Sequence, residues 1–174
     1  MPPPVPEHLL EQADRLVKDQ RSTDLRRALS NAYYAVFHFV LTAAADMVVG
    51  AEQRTSDSYN LVYQSVEHAR LRDFCEEVNK TKPQKVAFTP LGGFGSIAEF
   101  AGITLNLYEL GIRADYDPSI AFSVSGAIIA VSSARQAISL FEEASAERRQ
   151  AFLTMLLFKE RPRKVVAIDP RFIE

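Results

Sequence analysis

The sequence predicts an all-α fold, an up-and-down bundle of four to six helices, on two observations. Apolar residues recur at helical spacing in several segments, and the longest of these, residues 24–49, holds no glycine or proline. The 174 residues are 47% hydrophobic, which is enough to fill one core of ordinary size. We therefore expect a single helical domain over residues 1–158, followed by a basic, proline-broken tail over residues 159–174.

The first three helices follow from start signals and apolar stripes. The first should begin at Pro6, because proline is tolerated in a first helical turn, and run to about Gln20. The second can be capped by Ser22 or Thr23. It is apolar around most of its circumference, so it should be central in the bundle. A third helix is expected over residues 57–80.

Turn and cap residues place the later helices. A fourth helix should end at Gly111, since glycine favours helix C-termini. A fifth should begin with Asp117 as its N-cap and a proline in its first turn, and Ile128 belongs to its core-facing stripe. A sixth is expected over residues 145–159, capped by Ser145.

Composition argues against several classes of protein. With 20 basic and 22 acidic residues the net charge is −2, so any RNA contact has to be local. The single cysteine, Cys75, excludes a disulfide framework, and no cysteine or histidine spacing indicates a metal, so we expect no cofactor. The chain start resembles no export signal, and the apolar stretch over residues 32–45 is too short for a bilayer. A cytoplasmic protein without membrane contact is expected.

A polar stripe runs along the otherwise apolar second helix. Its members recur at steps of four, three and four residues, which puts them on one face: Arg27, Asn31, Tyr34 and His38. An unpaired buried polar group costs about 1–3 kcal/mol, so the stripe either faces a ligand or forms an internal hydrogen-bonding network. In the first case Arg27 can hold a phosphate and His38 can transfer a proton near neutral pH.

The third predicted helix carries a second polar line, at steps of four: Asn60, Gln64, His68 and Arg72. A solvated helix face explains such a line. His68 is nevertheless a second candidate for proton transfer.

A third polar group lies between the fourth and fifth predicted helices and comprises Arg113, Asp115, Tyr116 and Asp117. Capping explains Asp117 alone. The others are interpreted as a structural clasp between the two helices, with substrate contact as the alternative.

Two of these segments resemble a known family. Residues 25–40, LRRALSNAYYAVFHFV, resemble the arginine-to-aromatic helix of HEPN-domain proteins, helical modules of prokaryotic toxin–antitoxin and defence systems. Residues 113–119, RADYDPS, are similar to the segment before the last long helix of that superfamily. With the helix pattern, the resemblance extends over about residues 6–145. It implies a bundle that commonly dimerises and, in many members, a metal-independent ribonuclease whose arginine and histidine meet across the dimer cleft.

The chain departs from the usual ribonuclease motif, in which four to six residues separate an arginine from a following histidine. Arg27 lies eleven residues before His38, and Arg54 lies fourteen before His68. Activity would therefore require a composite site assembled by folding. The candidate catalytic residues are His38, His68, Arg27 and Arg113.

Two functions stay open. The first is RNA binding or metal-independent RNA cleavage in a toxin–antitoxin or defence system, with RNA or a nucleotide contacting Asn31, Tyr34, Asp115 and Tyr116. The second is a non-catalytic helical module that binds a partner protein or a nucleotide. The resemblance implies as partners a second copy in a homodimer and a nucleotidyltransferase-like antitoxin. Family habit favours the first function, whereas the missing motif and the near-neutral charge favour the second.

Overall fold

The computed structural model describes residues 5–80 and 89–158. Within these ranges the chain forms helices and no strand, so the predicted all-α class is confirmed, with more helices than the four to six expected. They are α1 (Pro6–Asp19), α2 (Ser22–Val48), α3 (Asp57–Tyr63), α4 (His68–Asn79), α5 (Ser96–Tyr116), α6 (Val124–Glu143) and α7 (Ala146–Leu157), with one 3-10 turn at Ala51–Gln53. The predicted tail over residues 159–174 lies outside the described residues.

Helix α2 is the centre of the bundle, as its sequence predicts. It packs against α1, α3, α5, α6 and α7. Fully buried alanines along one face of α2, among them Ala28, Ala32 and Ala35, allow neighbouring helices to approach closely. The residues of α2 that carry polar groups are therefore held by a rigid, surrounded helix.

Four phenylalanines from different helices close the far side of the core. Phe74 of α4, Phe100 of α5 and Phe141 of α6 each pack against Phe152 of α7, with ring centroids 5.0 to 5.7 Å apart. Tilted and edge-to-face pairs of this kind add to the free energy gained from apolar burial. The cluster ties α7 to the helices that precede it.

The predicted third helix is two helices, so the expectation of one helix over residues 57–80 is wrong. Helix α3 ends at Tyr63, where the Ser65 hydroxyl donates to the Val62 carbonyl oxygen at 2.7 Å. Val66, in the connecting turn, is buried in the core, and the chain resumes as α4 at His68. Burial of an apolar side chain from the turn redirects the helix axis.

Gly111 lies inside α5 and does not end it. The helix continues to Tyr116, five residues beyond the predicted terminus. A Cβ atom at Gly111 would lie 3.2 Å from Cβ of Tyr33, so this glycine permits close packing of α5 against α2. The local signal for a helix end is overridden by this tertiary contact.

Asp117 is not the N-cap of the next helix. It follows the last residue of α5, and its carboxylate accepts a hydrogen bond from the Ser119 backbone N–H at 3.0 Å. Helix α6 begins at Val124, where the Ser123 hydroxyl accepts from the Gly126 backbone N–H. Ile128, predicted to be buried, is 54% exposed, because the buried face of α6 runs through Ala127, Val131 and Ala134 instead.

Of the two remaining predicted caps, the cap of α7 is confirmed and the cap of α2 is wrong. Ser145 caps α7 as predicted, since its hydroxyl accepts from the Arg148 backbone N–H. Neither Ser22 nor Thr23 caps α2, because the helix begins one residue earlier than a serine cap requires. Arg21 occupies the N-cap position instead.

Among the helices of residues 5–80 and 89–158, α2 and α6 are long and apolar enough to cross a membrane by length and composition alone. The most apolar window of α2 is 72% buried in the bundle, which is typical of the core helix of a soluble protein. Length and composition alone are therefore weak evidence that either helix spans a membrane.

Candidate functional site

Folding brings the two candidate histidines into one group of aromatic rings, although they lie on different helices. Helix α2 supplies His38 and three aromatic residues, α3 supplies a tyrosine, and the first residue of α4 is His68. We call this group the histidine cluster. It comprises Tyr33, Tyr34, Phe37, His38, Tyr63 and His68.

Ring contacts define how the cluster is built. The rings of Phe37 and His68 stack with centroids 3.8 Å apart. The Tyr34 ring contacts both imidazoles, at 6.0 Å from His38 and 5.6 Å from His68. The two histidines therefore share neighbours, as the composite-site hypothesis requires of them.

A tyrosine hydroxyl holds one ring nitrogen of each histidine. Tyr33 Oη lies 2.8 Å from Nδ1 of His68, and Tyr63 Oη lies 2.6 Å from Nδ1 of His38. Among the described residues no hydrogen bond reaches Nε2 of either ring. Each imidazole is thus oriented through one nitrogen and has the other available.

Burial sets the protonation of the cluster. It lowers the pKa of His38 and of His68, and the proximity of His68 lowers the pKa of His38 further. Burial also raises the pKa of Tyr63 to about 12, and it raises the pKa of Tyr33. Near pH 7 the cluster therefore favours neutral imidazoles beside protonated tyrosine hydroxyls.

Because the chain breaks between α3 and α4, the second polar line predicted from the sequence does not lie on one helix. Asn60 belongs to α3 and Gln64 to the turn that follows, whereas His68 and Arg72 share α4. Only His68 of this line enters the histidine cluster. The solvated-face interpretation fits Gln64, which is exposed.

The stripe on α2 divides into parts with different surroundings. Asn31 is buried, and its side-chain amide donates to Gln12 Oε1 of α1 at 2.9 Å, which is the internal network that the alternative interpretation predicts. Tyr34 and His38 enter the histidine cluster. Arg27 is exposed and makes no hydrogen bond to any residue in the described ranges.

Charged and polar groups near the C-terminus of α5 act on Tyr34 of the stripe. Burial raises the pKa of Tyr34, the charges of Asp115 and Tyr116 raise it further, and the charge of Arg27 opposes them. The Asp115 carboxylate is held by the Ser30 hydroxyl at 3.1 Å. Asp115 and Tyr116 are exposed, so this face of the protein presents aromatic and charged groups to solvent.

Arg113 does not join the histidines. It is exposed near the C-terminus of α5, and no contact between it and His38 or His68 occurs. Its charge helps to lower the pKa of Asp117, after the larger effect of the hydrogen bonds from Ser119. The predicted composite site therefore contains both histidines but not this arginine.

A clasp does connect α2 to the chain between α5 and α6, and Arg26 makes it. Its guanidinium donates to the carbonyl oxygens of Ala114 at 3.0 Å and Asp117 at 2.9 Å, and to that of Ile120. The clasp predicted from the sequence was a different one, between the two helices on either side of this segment, and was assigned to Arg113, Asp115 and Tyr116; these residues make none of the three Arg26 bonds. Sequence reasoning missed Arg26 because the spacing of the polar stripe includes Arg27 and not Arg26.

Two cavities in the described part of the chain are lined by residues outside the cluster. One of about 550 Å³ lies beside Arg26 and Asp115, and one of about 280 Å³ is lined by Phe39, Thr42 and Asp46 among others. Neither is lined by a histidine. No group of three histidine, cysteine, aspartate or glutamate residues in the described ranges is arranged to hold a metal ion.

Comparison with known proteins finds no matching family model, no similar curated protein and no similar solved structure. The HEPN resemblance therefore stays a prediction from the two sequence motifs.

Proposed function

We propose that this chain is a HEPN-like RNA-binding protein of a toxin–antitoxin or defence system, and that the histidine cluster contacts the RNA. One observation carries the proposal. His38 and His68, from separate helices, share an aromatic cluster in which Nδ1 of each ring is held and Nε2 has no partner among the described side chains. A ring nitrogen without a protein partner can accept a hydrogen bond or a proton from a ligand.

The cluster and the start of α2 together carry groups of the types that metal-independent RNA cleavage uses. A neutral imidazole can accept the proton of a ribose 2′-hydroxyl as its oxygen bonds to the adjacent phosphorus, and the imidazolium so formed can return that proton to the 5′-oxygen whose bond to phosphorus breaks. Lowered histidine pKa values favour the neutral starting form near pH 7. The exposed guanidinium of Arg27 can contact a phosphate, and the Tyr34 ring can stack on a base. RNA cleavage is therefore the activity proposed for the bound state.

A second candidate is a non-catalytic helical module that acts with a partner protein, in the cytoplasm, as a homodimer or with a nucleotidyltransferase-like antitoxin. The Asn31–Gln12 hydrogen bond favours it, because part of the polar stripe is a structural network. The positions of the two cavities also favour it, since neither is lined by His38 or His68.

Binding and cleavage of RNA in EDTA test the proposal. Labelled single-stranded and hairpin RNAs would be incubated with the wild type, with His38→Gln, with His68→Gln and with the double variant. We expect each single variant to reduce cleavage by at least about tenfold, since one general acid–base group contributes about 10²–10⁴ in rate. His8→Gln, on the exposed side of α1, is the matched control and should behave as the wild type.

The outcomes separate the candidates. RNA binding that weakens in the double variant, without cleavage by the wild type, would support RNA contact and remove catalysis. Equal binding and equal cleavage by the wild type and a folded double variant would contradict the proposal. Absence of RNA binding by the wild type would remove the proposal and leave the non-catalytic candidate.

A further inference from the structure

An open cleft lies where the chain passes from α5 to α6, beside the start of α2. Its volume of about 550 Å³ is within the range of sites that hold organic ligands. We call it the junction cleft. Residues that line it include Ser22, Arg26, Asp115, Pro118, Ser119 and Ile120.

Asp115 lines this cleft, and a hydrogen bond from α2 holds its carboxylate. Its Oδ2 atom accepts from the Ser30 hydroxyl at 3.1 Å, and its Oδ1 atom receives no hydrogen bond from the described part of the chain. The side chain is exposed, so both oxygens can accept further hydrogen bonds from a ligand. Asp115 is therefore a pair of oriented acceptors at the edge of a cavity.

A donor stands in the same cleft. Three of the five N–H groups of Arg26 donate to the carbonyl oxygens of Ala114, Asp117 and Ile120. The Nε–H and one Nη2–H make no hydrogen bond to residues 5–80 or 89–158. The cleft thus combines two acceptor oxygens with remaining guanidinium donors.

Guanine is the RNA base that matches this combination. It alone among the four bases presents two adjacent N–H donors on its Watson–Crick edge, next to an acceptor oxygen. A carboxylate can accept from both donors while a guanidinium donates to the oxygen. Adenine, cytosine and uracil each place an acceptor where one of these donors stands, which would face the carboxylate.

The surroundings suit an unpaired base. Pro118 and Ile120 give the cleft apolar walls. Tyr116, next to Asp115 in the chain, is 78% exposed and offers a ring on which a flanking base can stack. Arg27, one helical turn before the residue that holds Asp115, can contact the phosphate backbone.

We propose that the junction cleft binds an unpaired guanine of single-stranded RNA, with Asp115 as the specificity-determining residue. The inference rests on the proposed RNA binding and adds to it a base preference. It places base recognition at the end of α5 and leaves proton transfer to the histidine cluster.

Fluorescence anisotropy with short labelled RNAs tests this inference. The probes are oligouridine strands that carry a single central guanine, adenine or cytosine. We expect the wild type to bind the guanine strand about tenfold more tightly than the others, which is the discrimination typical of one bidentate base contact. Asp115→Asn should reduce the preference below about twofold, because an amide N–H₂ would face a guanine donor.

The controls and outcomes keep the two proposals distinct. Asp57→Asn makes the same charge change at an exposed position on α3 and should keep the preference. Equal binding of all strands by the wild type, or an undiminished preference in folded Asp115→Asn, would overturn the guanine inference and leave RNA binding intact. Failure of every strand to bind would overturn both.

Discussion

The start and the middle of α2 satisfy their polar groups differently. Near the start of the helix, Arg26 donates to three backbone carbonyl oxygens whose positions are fixed by α5 and the chain that follows it. Near the middle of the helix, Tyr34 and His38 belong to a cluster in which one nitrogen of each imidazole is bonded to a tyrosine hydroxyl and, among the described residues, the other is not bonded. The contrast separates a polar group that holds the fold from polar groups that are positioned but still available to a ligand.

The largest expected effect is on the free energy of unfolding, when the hydrogen bonds at the start of α2 are removed. Arg26→Ala removes charged donors from three carbonyl oxygens, and we expect the free energy of unfolding to fall by about 3 kcal/mol, since one hydrogen bond to a charged group contributes about 1.5–3 kcal/mol. Chemical denaturation measures the loss. Arg27→Ala is the matched control, because that neighbour is exposed, and it should change stability by less than about 0.5 kcal/mol. Equal losses in the two variants would mean that the clasp is not made by Arg26.

A smaller loss of stability tests which residue caps α6, the helix that follows the segment bound by Arg26. Ser123→Ala removes the hydroxyl that accepts from the Gly126 backbone N–H, and we expect a loss of about 1 kcal/mol. Asp117→Ala should cost less than about 0.5 kcal/mol, because its carboxylate contacts only Ser119 at the surface. Thermal unfolding of both variants measures the difference. The reverse order would restore Asp117 as the cap that the sequence predicts.

The smallest effect concerns the second region and depends on pH. Burial lowers the pKa of His38 and His68 below the ordinary value of 6.5, so the unfolded chain binds more protons than the folded protein just below that pH. The histidine contribution to stability is therefore complete above about pH 6.5 and is lost as the pH falls through the window down to the folded pKa values. Denaturation at several pH values should show a shallower slope in the His38→Gln, His68→Gln double variant. A slope equal to that of the wild type would assign the pH dependence to other groups.

Local signals predicted much of the fold. The start of α1 at Pro6 and the cap of α7 at Ser145 depend on residues within one turn, and both agree with the structure. The break before His68 does not depend on local signals, because it follows from burial of Val66 in the core. Gly111 shows the same limit, since its role is set by contact with a different helix.

Residue type found part of the candidate site, and tertiary contacts supplied the rest. The sequence singles out His38 and His68 because histidine titrates near neutral pH. Their tyrosine partners, Tyr63 and Tyr33, lie 25 and 35 residues away, a separation that helical periodicity does not relate. The role of Arg26 was not predicted for a similar reason, because the three carbonyl oxygens that accept its hydrogen bonds lie 88 to 94 residues further along the chain.

The most direct test of the central claim observes the histidine rings themselves. The chain has three histidines, and His8, exposed on α1, is an internal reference for the other two. Single-stranded RNA would be titrated in EDTA while the imidazole resonances are followed by NMR. We predict that the His38 and His68 signals shift or broaden with saturation while the His8 signal stays unchanged. Saturable RNA binding that leaves the His38 and His68 signals unaltered would contradict the claim that the histidine cluster contacts RNA.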